Sequence, residues 1–430
     1  MKKVELYAII SSRQKIVKPM LKSLRVGGNM NITIDQLTKT TIQYFIKKIN
    51  DGLSINRMDR CIEINFNATA PFPENLVPIC GVIDYLKEIG FRIKVLYPKD
   101  SRLLQSGLSN PYKLPLNDYD LLSPTNRIWR YNTPEEVFKI VSAFVNHLNS
   151  KTVCAKGVVE SFEWTINEIM DNVIQHSRSK YGYIMCTVYS NSHISVAIFD
   201  NGIGILQSFK GSKYRLRSPF DAIELAMREN TTRDPKIGQG NGMWGMKKIV
   251  NNNKGILSIT SSGVNISINE HDTVLKHELK NKSIRMKTPY HLGTLVDFQF
   301  NCNNEICLSD IFGKNYEYTN LTLENLEDDQ NRINVKISQF SFGCATRLAG
   351  ESARNLVLNY LVQSNYSQII ILDFSGVSII ASSFADEFIG KLLQECGFIQ
   401  FNNLIRITNI SKENVSIINR SVMQRISEND

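Results

Sequence analysis

The chain has 430 residues, 42% hydrophobic and 21% charged, a balance that suits two or three folded domains and excludes a disordered chain. The net charge of +9 is modest at this length and scattered, so it reads as solvated surface rather than a nucleic-acid footprint. Eight cysteines include no CxxC pair, and the closest two, Cys302 and Cys307, have no nearby His cluster; this argues against a zinc site or a disulfide framework and for free thiols in a cytoplasmic chain.

The first residues hold the one local concentration of charge: Lys2, Lys3, Arg13, Lys15, Lys18, Lys22 and Arg25 against Glu5. A nucleic-acid or membrane contact through residues 2–25 is open but not favoured. The apolar run Leu6 to Ile10 is too short for a signal-peptide core. No apolar stretch approaches the roughly 20 residues a membrane helix needs.

After this basic segment (1–30), the spacing of Leu37, Thr41, Tyr44/Phe45 and Ile49 predicts a helix over 35–50. Cys61–Phe66 alternates like a strand. Pro71 and Pro73 punctuate a loop, Val77–Ile89 reads as a helix closed by Gly90, and Phe91–Leu96 is a second strand. This strand–helix–strand pattern predicts a small α/β domain over 31–130, with no catalytic constellation in it.

Thr133, Pro134 and Glu135-Glu136 open a helix that runs to about Asn149. His147 lies on it without an adjacent acid to orient its ring, so it reads as a surface or packing histidine rather than a phosphoacceptor. The next helix, about 155–177, is apolar at Trp164, Ile166, Ile169, Met170, Val173 and Ile174, and is therefore largely buried. Glu168 and Asn172 nonetheless share one of its faces, Glu163 sits on a neighbouring turn, and His176 follows one turn further. Charged groups on a buried helix need a chemical reason.

Strands over 183–189 and 194–199 deliver Asp200 to the turn Asp200-Asn201-Gly202-Ile203-Gly204, which alone is also good hairpin chemistry. A basic stretch (210–217), a helix from Ser218 to about Glu229 and a loop over 231–236 follow. Gly238, Gly240 and Gly242 then open a helix that stops near Gly255, an arrangement suited to anions because free N–H groups face outward and no Cβ blocks approach. Ile256–Ser262 is a strand, 264–290 a polar hairpin or loop, and Gly293-Thr294 enters a strand to Phe300. A polar linker (302–331) leads to strands at 333–337 and 369–374, with helices at 347–364 and from Ser382/Ser383 to Glu395. The tail after Met423 is expected to fray.

Four pieces stand in fixed order: Glu168/Asn172 on a helix, Asp200/Gly202/Gly204 after a strand, Gly238/Gly240/Gly242 before a helix, and Gly293/Thr294 at a strand start. Their order and spacing resemble the GHKL (histidine kinase-like) ATPase superfamily, which includes gyrase, histidine kinases, mismatch-repair ATPases and anti-sigma-factor serine kinases. The resemblance covers 131–301. It implies a multi-domain α/β chain in which a central two-layer α/β sandwich, a mixed sheet with helices on one face, is flanked by smaller α/β units. It also implies roles. Asp200 resembles the acid that accepts the adenine amino hydrogen bond, and Gly202 and Gly204 let the backbone pass close to the base. Asn172 resembles the magnesium ligand and Glu168 the general base. Gly238, Gly240 and Gly242 resemble the lid glycines, and Thr294 the hydroxyl near the base. Arg233 and Lys236 fall in the lid and could meet the γ-phosphate. His176 occupies a place where many relatives carry His, in a supporting or packing role.

Residues 332–430 resemble a STAS-like domain, on Leu372–Val377 and Ser382–Phe388. In sigma-factor antagonists that turn reads Asp-Ser-Ser-Gly and its serine is phosphorylated. Here Ala381 replaces the acid and Phe384 the glycine, so Ser383 reads better as a helix cap bonding the Asp386 amide. The 31–130 unit is open to reading as a second, diverged copy. The resemblance thus implies a Mg2+- and ATP-binding protein that slowly hydrolyses ATP, its lid around 205–242 closing as a switch read by the flanking domains. The alternatives are a serine/threonine kinase of the anti-sigma type, or a non-hydrolysing ATP sensor or scaffold in a bacterial stress or defence system. A two-component histidine kinase is weaker, since no acceptor helix pair precedes the nucleotide domain. The protein partner is unidentified. Many relatives dimerise, but no residue pattern here marks a seam.

Overall fold

Alternation of apolar residues sets the N-terminal sheet. In the computed structural model, which describes residues 25–26, 29–38, 40–55, 60–70, 72–99, 101–114, 123–231, 241–286, 290–313 and 321–427, this unit runs β1 (Arg25–Val26), β2 (Asn29–Ile34), α1 (Thr41–Ile55), β3 (Cys61–Phe66), α2 (Pro73–Glu88) and β4 (Arg92–Leu96). Strands β2, β3 and β4 pair in parallel, which their crossover helices require, and β1 adds an antiparallel edge. Strand β2 was not expected from the sequence, although Ile32 and Ile34 alternate and are buried. Helix α2 starts at Pro73, ahead of the expected Val77. Pro73 suits a first helical turn, and Pro78 is accommodated inside the helix.

The central unit comprises β5 (Trp129–Tyr131), α3 (Pro134–Lys151), α4 (Val158–His176), β6 (Gly182–Tyr189), β7 (His193–Asp200), α5 (Gly204–Ser208), α6 (Pro219–Ala226), α7 (Gly242–Asn252), β8 (Ile256–Ser261), β9 (Val264–Ile268) and β10 (Val274–Glu278). A short ribbon of β11 (Ser283–Ile284) and β12 (Tyr290–His291) precedes β13 (Thr294–Asn301). The sheet order is β10-β9-β8-β13-β7-β6-β5, and every one of these pairings is antiparallel. This corrects the expected mixed sheet. Hairpins join β6 to β7, β8 to β9 and β9 to β10, and β13 inserts between β7 and β8, so no parallel crossover arises.

The central unit's own helices lie on one face of the sheet, and the other face is covered by the N-terminal unit. Helices α3, α4 and α7 cover one face, in a core containing Phe144, Phe162, Ile166, Met246 and Phe298. The other face carries Tyr183, Met185, Ala197, Phe199 and Leu295, which share a core with α2 and the rest of the N-terminal unit. Strands β6 and β7 are buried almost without alternation, so both faces require cover.

The segment read as a linker is packed at both described ends. Cys302 and Ile306 lie in the central core, followed by α8 (Leu308–Phe312). Gly157, at φ +77°, precedes α4 and passes so close that a Cβ there would stand 1.9 Å from the Ile306 carbonyl oxygen. Beyond it, α9 (Leu321–Glu324) places Leu323 in the C-terminal core.

The C-terminal unit runs β14 (Ile333–Lys336), α10 (Arg347–Gln363), β15 (Ile370–Asp373), α11 (Ser382–Ala385), a π-helical turn (Asp386–Gly390), α12 (Lys391–Cys396), α13 (Phe398–Leu404), β16 (Ile405–Thr408) and α14 (Lys412–Ser427). Its three strands pair in parallel and in sequence order, like β2, β3 and β4. Helix α14 continues past Met423, where fraying was expected. The expected Ser383 cap is also corrected. Ala381 holds the cap position, and the Asp386 amide bonds to the Ser382 and Ser383 carbonyls, leaving no role for the Ser383 hydroxyl there.

Helix α10 packs against α3 and supplies Asn359, almost fully buried. Its Oδ1 accepts from the Cys154 amide at 2.7 Å, and its Nδ2 donates to the carbonyls of Asn149 (2.9 Å) and Thr152 (2.7 Å). These bonds serve backbone groups that the end of α3 leaves over. On the other side of α10, a Cβ on Gly350 would stand 2.7 Å from the Phe384 carbonyl and 2.9 Å from the Glu387 Cβ. Gly350→Ala is therefore expected to destabilise this unit by about 1–3 kcal/mol. Denaturant unfolding at unchanged midpoint would refute that.

Candidate functional site

Helical spacing puts Trp164, Glu168, Asn172 and His176 along one stripe of α4. The stripe forms one wall of a cavity of about 520 Å³. Ile198, Asp200, Thr294 and Val296 form its floor, Gly204, Ile205 and Phe209 close one side, and Asn241, Gly242 and Met243 stand at the entrance to α7. Of the predicted site residues, Glu168, Asn172, Asp200, Gly204, Gly242 and Thr294 thus line one space. Gly202 does not line it but bonds the Asp200 carboxylate through its amide. Gly238, Gly240, Arg233 and Lys236 lie outside the described residues.

Register sets the floor. Thr294 pairs with Asp200 on one side and with Ser261 on the other. The Thr294 and Ser261 hydroxyls are 3.1 Å apart. The Asp200 carboxylate accepts the Gly202 amide at 2.7 Å and is also held by the Thr294 amide. Burial outweighs both bonds and pushes the carboxyl up to about 7. The turn is bolted to the end of α4, since the Ile203 amide donates to the Ser177 carbonyl at 2.9 Å. Only glycine fits beside it: a Cβ on Gly202 would be 2.1 Å from that carbonyl oxygen, and one on Gly293 would be 2.3 Å from the Asp200 carbonyl.

Burial, with a smaller effect of Asp171 nearby, raises the Glu168 carboxyl above the ordinary carboxylate range. Gly242 faces it directly: a Cβ there would be 2.5 Å from Glu168 Oε2 and 3.4 Å from Asn172 Nδ2. Gly242→Ala is expected to displace that carboxylate and lower any turnover that depends on it by about tenfold or more. A structure of the variant with the Glu168 carboxylate unmoved would refute it.

Sequence reasoning missed Asp171, Phe209 and Phe312 as wall residues. Phe312 comes from the segment read as linker, and its signal was the apolar group Leu308, Ile311 and Phe312 in polar surroundings. Its ring centroid lies 4.9 Å from Trp164 and 5.9 Å from Trp244, joining α4, α7 and α8. His147 is a packing histidine: its Nε2 is 3.0 Å from the Thr125 hydroxyl, and burial, aided by Lys151, lowers its pKa to about 4. Among the described residues, no helix is long and apolar enough to cross a membrane.

A family model described as a STAS-like domain of unknown function (DUF4325) matches residues 349–415, so the C-terminal unit is similar to STAS-like domains. No curated protein matches the chain. Among solved structures, the chain is similar to the histidine kinase domain of the blue-light activated histidine kinase from Erythrobacter litoralis EL346, at 16% identity and a TM-score of 0.18. That match covers 39% of this chain and 60% of the other.

Proposed function

We propose that the central unit, about 131–301, is a GHKL-type domain that binds Mg·ATP and hydrolyses it slowly. The carrying observation is the convergence of Asp200, Glu168, Asn172 and Gly242 on one cavity of about 520 Å³, within the range of nucleotide-sized pockets. Asp200, as a carboxylate, accepts the adenine amino group, and a guanine carbonyl facing it would leave two acceptors opposed. Thr294 and Ser261 supply hydroxyls beside it. The start of α7 faces the phosphates with backbone N–H groups and the positive end of its dipole. Glu168 orients and deprotonates the attacking water.

The oxygen donors of Asn172, Glu168 and Asp171 suit Mg2+, which takes few protein ligands and keeps waters and phosphate oxygens. Asn172 is the residue assigned to hold it. The ion, when bound, neutralises phosphate charge. Closure over the phosphates is read out by the flanking units, the N-terminal one being a diverged relative of the STAS-like C-terminal one. Calorimetry with Mg2+ and a non-hydrolysable ATP analogue, followed by a phosphate-release assay, tests the reading. Absence of binding would overturn it.

A second reading, transfer of the γ-phosphate to a serine, is favoured by Ser382, which is exposed at the start of α11. With γ-labelled ATP, label on protein supports transfer, whereas free phosphate alone supports hydrolysis.

A further inference from the structure

The strand that delivers Asp200 has two faces, and they serve different neighbours. Ile198 and Asp200 look into the cavity, whereas Phe199 and Asn201, one residue out of phase, look toward helix α2 of the N-terminal unit. The Asn201 side chain is engaged there at both ends. Its Nδ2 donates to the Gly81 carbonyl of α2 at 3.1 Å, and its Oδ1 accepts from the Tyr290 hydroxyl. Its backbone amide donates to Ser179 Oγ at 3.2 Å.

Helix α2 is pressed against this corner. A Cβ on Gly81 would stand 2.4 Å from the Phe199 ring and 3.4 Å from Asn201 Oδ1. One turn further along, Tyr85 stacks on Tyr290 with ring centroids 4.2 Å apart. Tyr290 is buried and leads in three residues to Gly293, whose backbone abuts Asp200. Another turn-neighbour, Asp84, accepts from Arg130 at 2.6 Å and from the Tyr183 hydroxyl at 2.8 Å. The N-terminal unit therefore holds both backbone segments that flank Asp200: the turn after β7 and the entry to β13.

The geometry points to Asn201 and Tyr290 as positioning residues through which helix α2 aims Asp200, so that occupancy of the nucleotide cavity and docking of the N-terminal unit are coupled. This rests on the ATP reading of the cavity. Coupling of this kind is reciprocal: if α2 tightens the turn for nucleotide, nucleotide tightens α2 by the same factor. The N-terminal unit, which carries no catalytic constellation among its described residues, becomes an element that senses or sets nucleotide affinity.

The experiment uses the full chain with Asn201→Ala and Tyr290→Phe. The second variant keeps the Tyr85 stack and loses only the hydroxyl. Calorimetry with Mg2+ and a non-hydrolysable ATP analogue is paired with hydrogen exchange across residues 73–88, with and without nucleotide. The wild-type chain is expected to slow exchange over 73–88 on binding. Both variants are expected to bind about tenfold more weakly, as loss of one or two hydrogen bonds implies, and to lose that slowing. Wild-type affinity in both variants, or a lowered melting temperature with the nucleotide-induced slowing intact, overturns the coupling and leaves the ATP reading standing. No binding by the wild-type chain overturns both.

Discussion

Asp200→Asn is expected to weaken ATP binding by about a hundredfold, because the amide sets a donor against the adenine amino group where a carboxylate accepts. The same substitution is expected to change stability in the opposite sense at high pH. Burial holds the folded Asp200 carboxyl near 7 against an ordinary 3.8. Below the ordinary value both states hold the proton, and the contribution is fully present. Between about pH 4 and 7 the unfolded chain has released its proton while the folded chain keeps it, so stability falls as pH rises, by up to about 1.4 kcal/mol per unit. Above about 7 the loss is complete. Asparagine cannot ionise, so the variant should gain on the wild type between pH 5 and pH 8 in nucleotide-free unfolding experiments. A wild-type-to-variant difference that stays constant over that range would contradict the buried, raised carboxyl. The sign also governs binding. On the ATP reading the adenine amino group is accepted by the ionised form, so wild-type affinity should improve from pH 6 to pH 8 with release of a proton, and the variant should lack this slope.

The second large effect is expected at Glu168. Glu168→Gln keeps the side chain's size beside Gly242 and Asn172 but removes the base. Phosphate release should fall by about a hundredfold to ten-thousandfold while nucleotide affinity changes only a few-fold. Burial raises the Glu168 carboxyl, so the acid limb of the wild-type pH–rate profile should lie above the ordinary carboxylate range. The variant's residual rate should not follow that limb. Single-turnover measurements at saturating ATP separate the chemical step from binding. Equal phosphate release in variant and wild type would remove Glu168 from its assigned role and favour a site that only binds.

Much of the site was legible because its parts are local. An i, i+4 pair of polar residues among the apolar neighbours Trp164, Ile169 and Val173 is visible without tertiary information, and Glu168 and Asn172 do line the cavity. The close glycines were legible too, though only as a motif; the reason for Gly202 and Gly293 is the approach of the Ser177 and Asp200 carbonyls. Phe312 was hidden because it sits beside a polar segment in sequence, while Trp164 and Trp244, which it touches in space, are far from it along the chain. The mixed sheet failed because strand direction depends on where β13 inserts, which no periodicity within β13 encodes.

The sequence by itself determined the order of the motifs, the amphipathic face of α4, and the strand–helix–strand character of the flanking units. These follow from side-chain period and turn chemistry, which act over a few residues. Only the tertiary structure decided what lies behind the site. The alternation along β7 fixes that Asp200 and Asn201 face opposite ways, but not what each one meets. The packing of α2 on the far face of the sheet makes Asn201 a tie to another unit, because β6 and β7 are apolar on both sides and had to be covered by something distant in the chain.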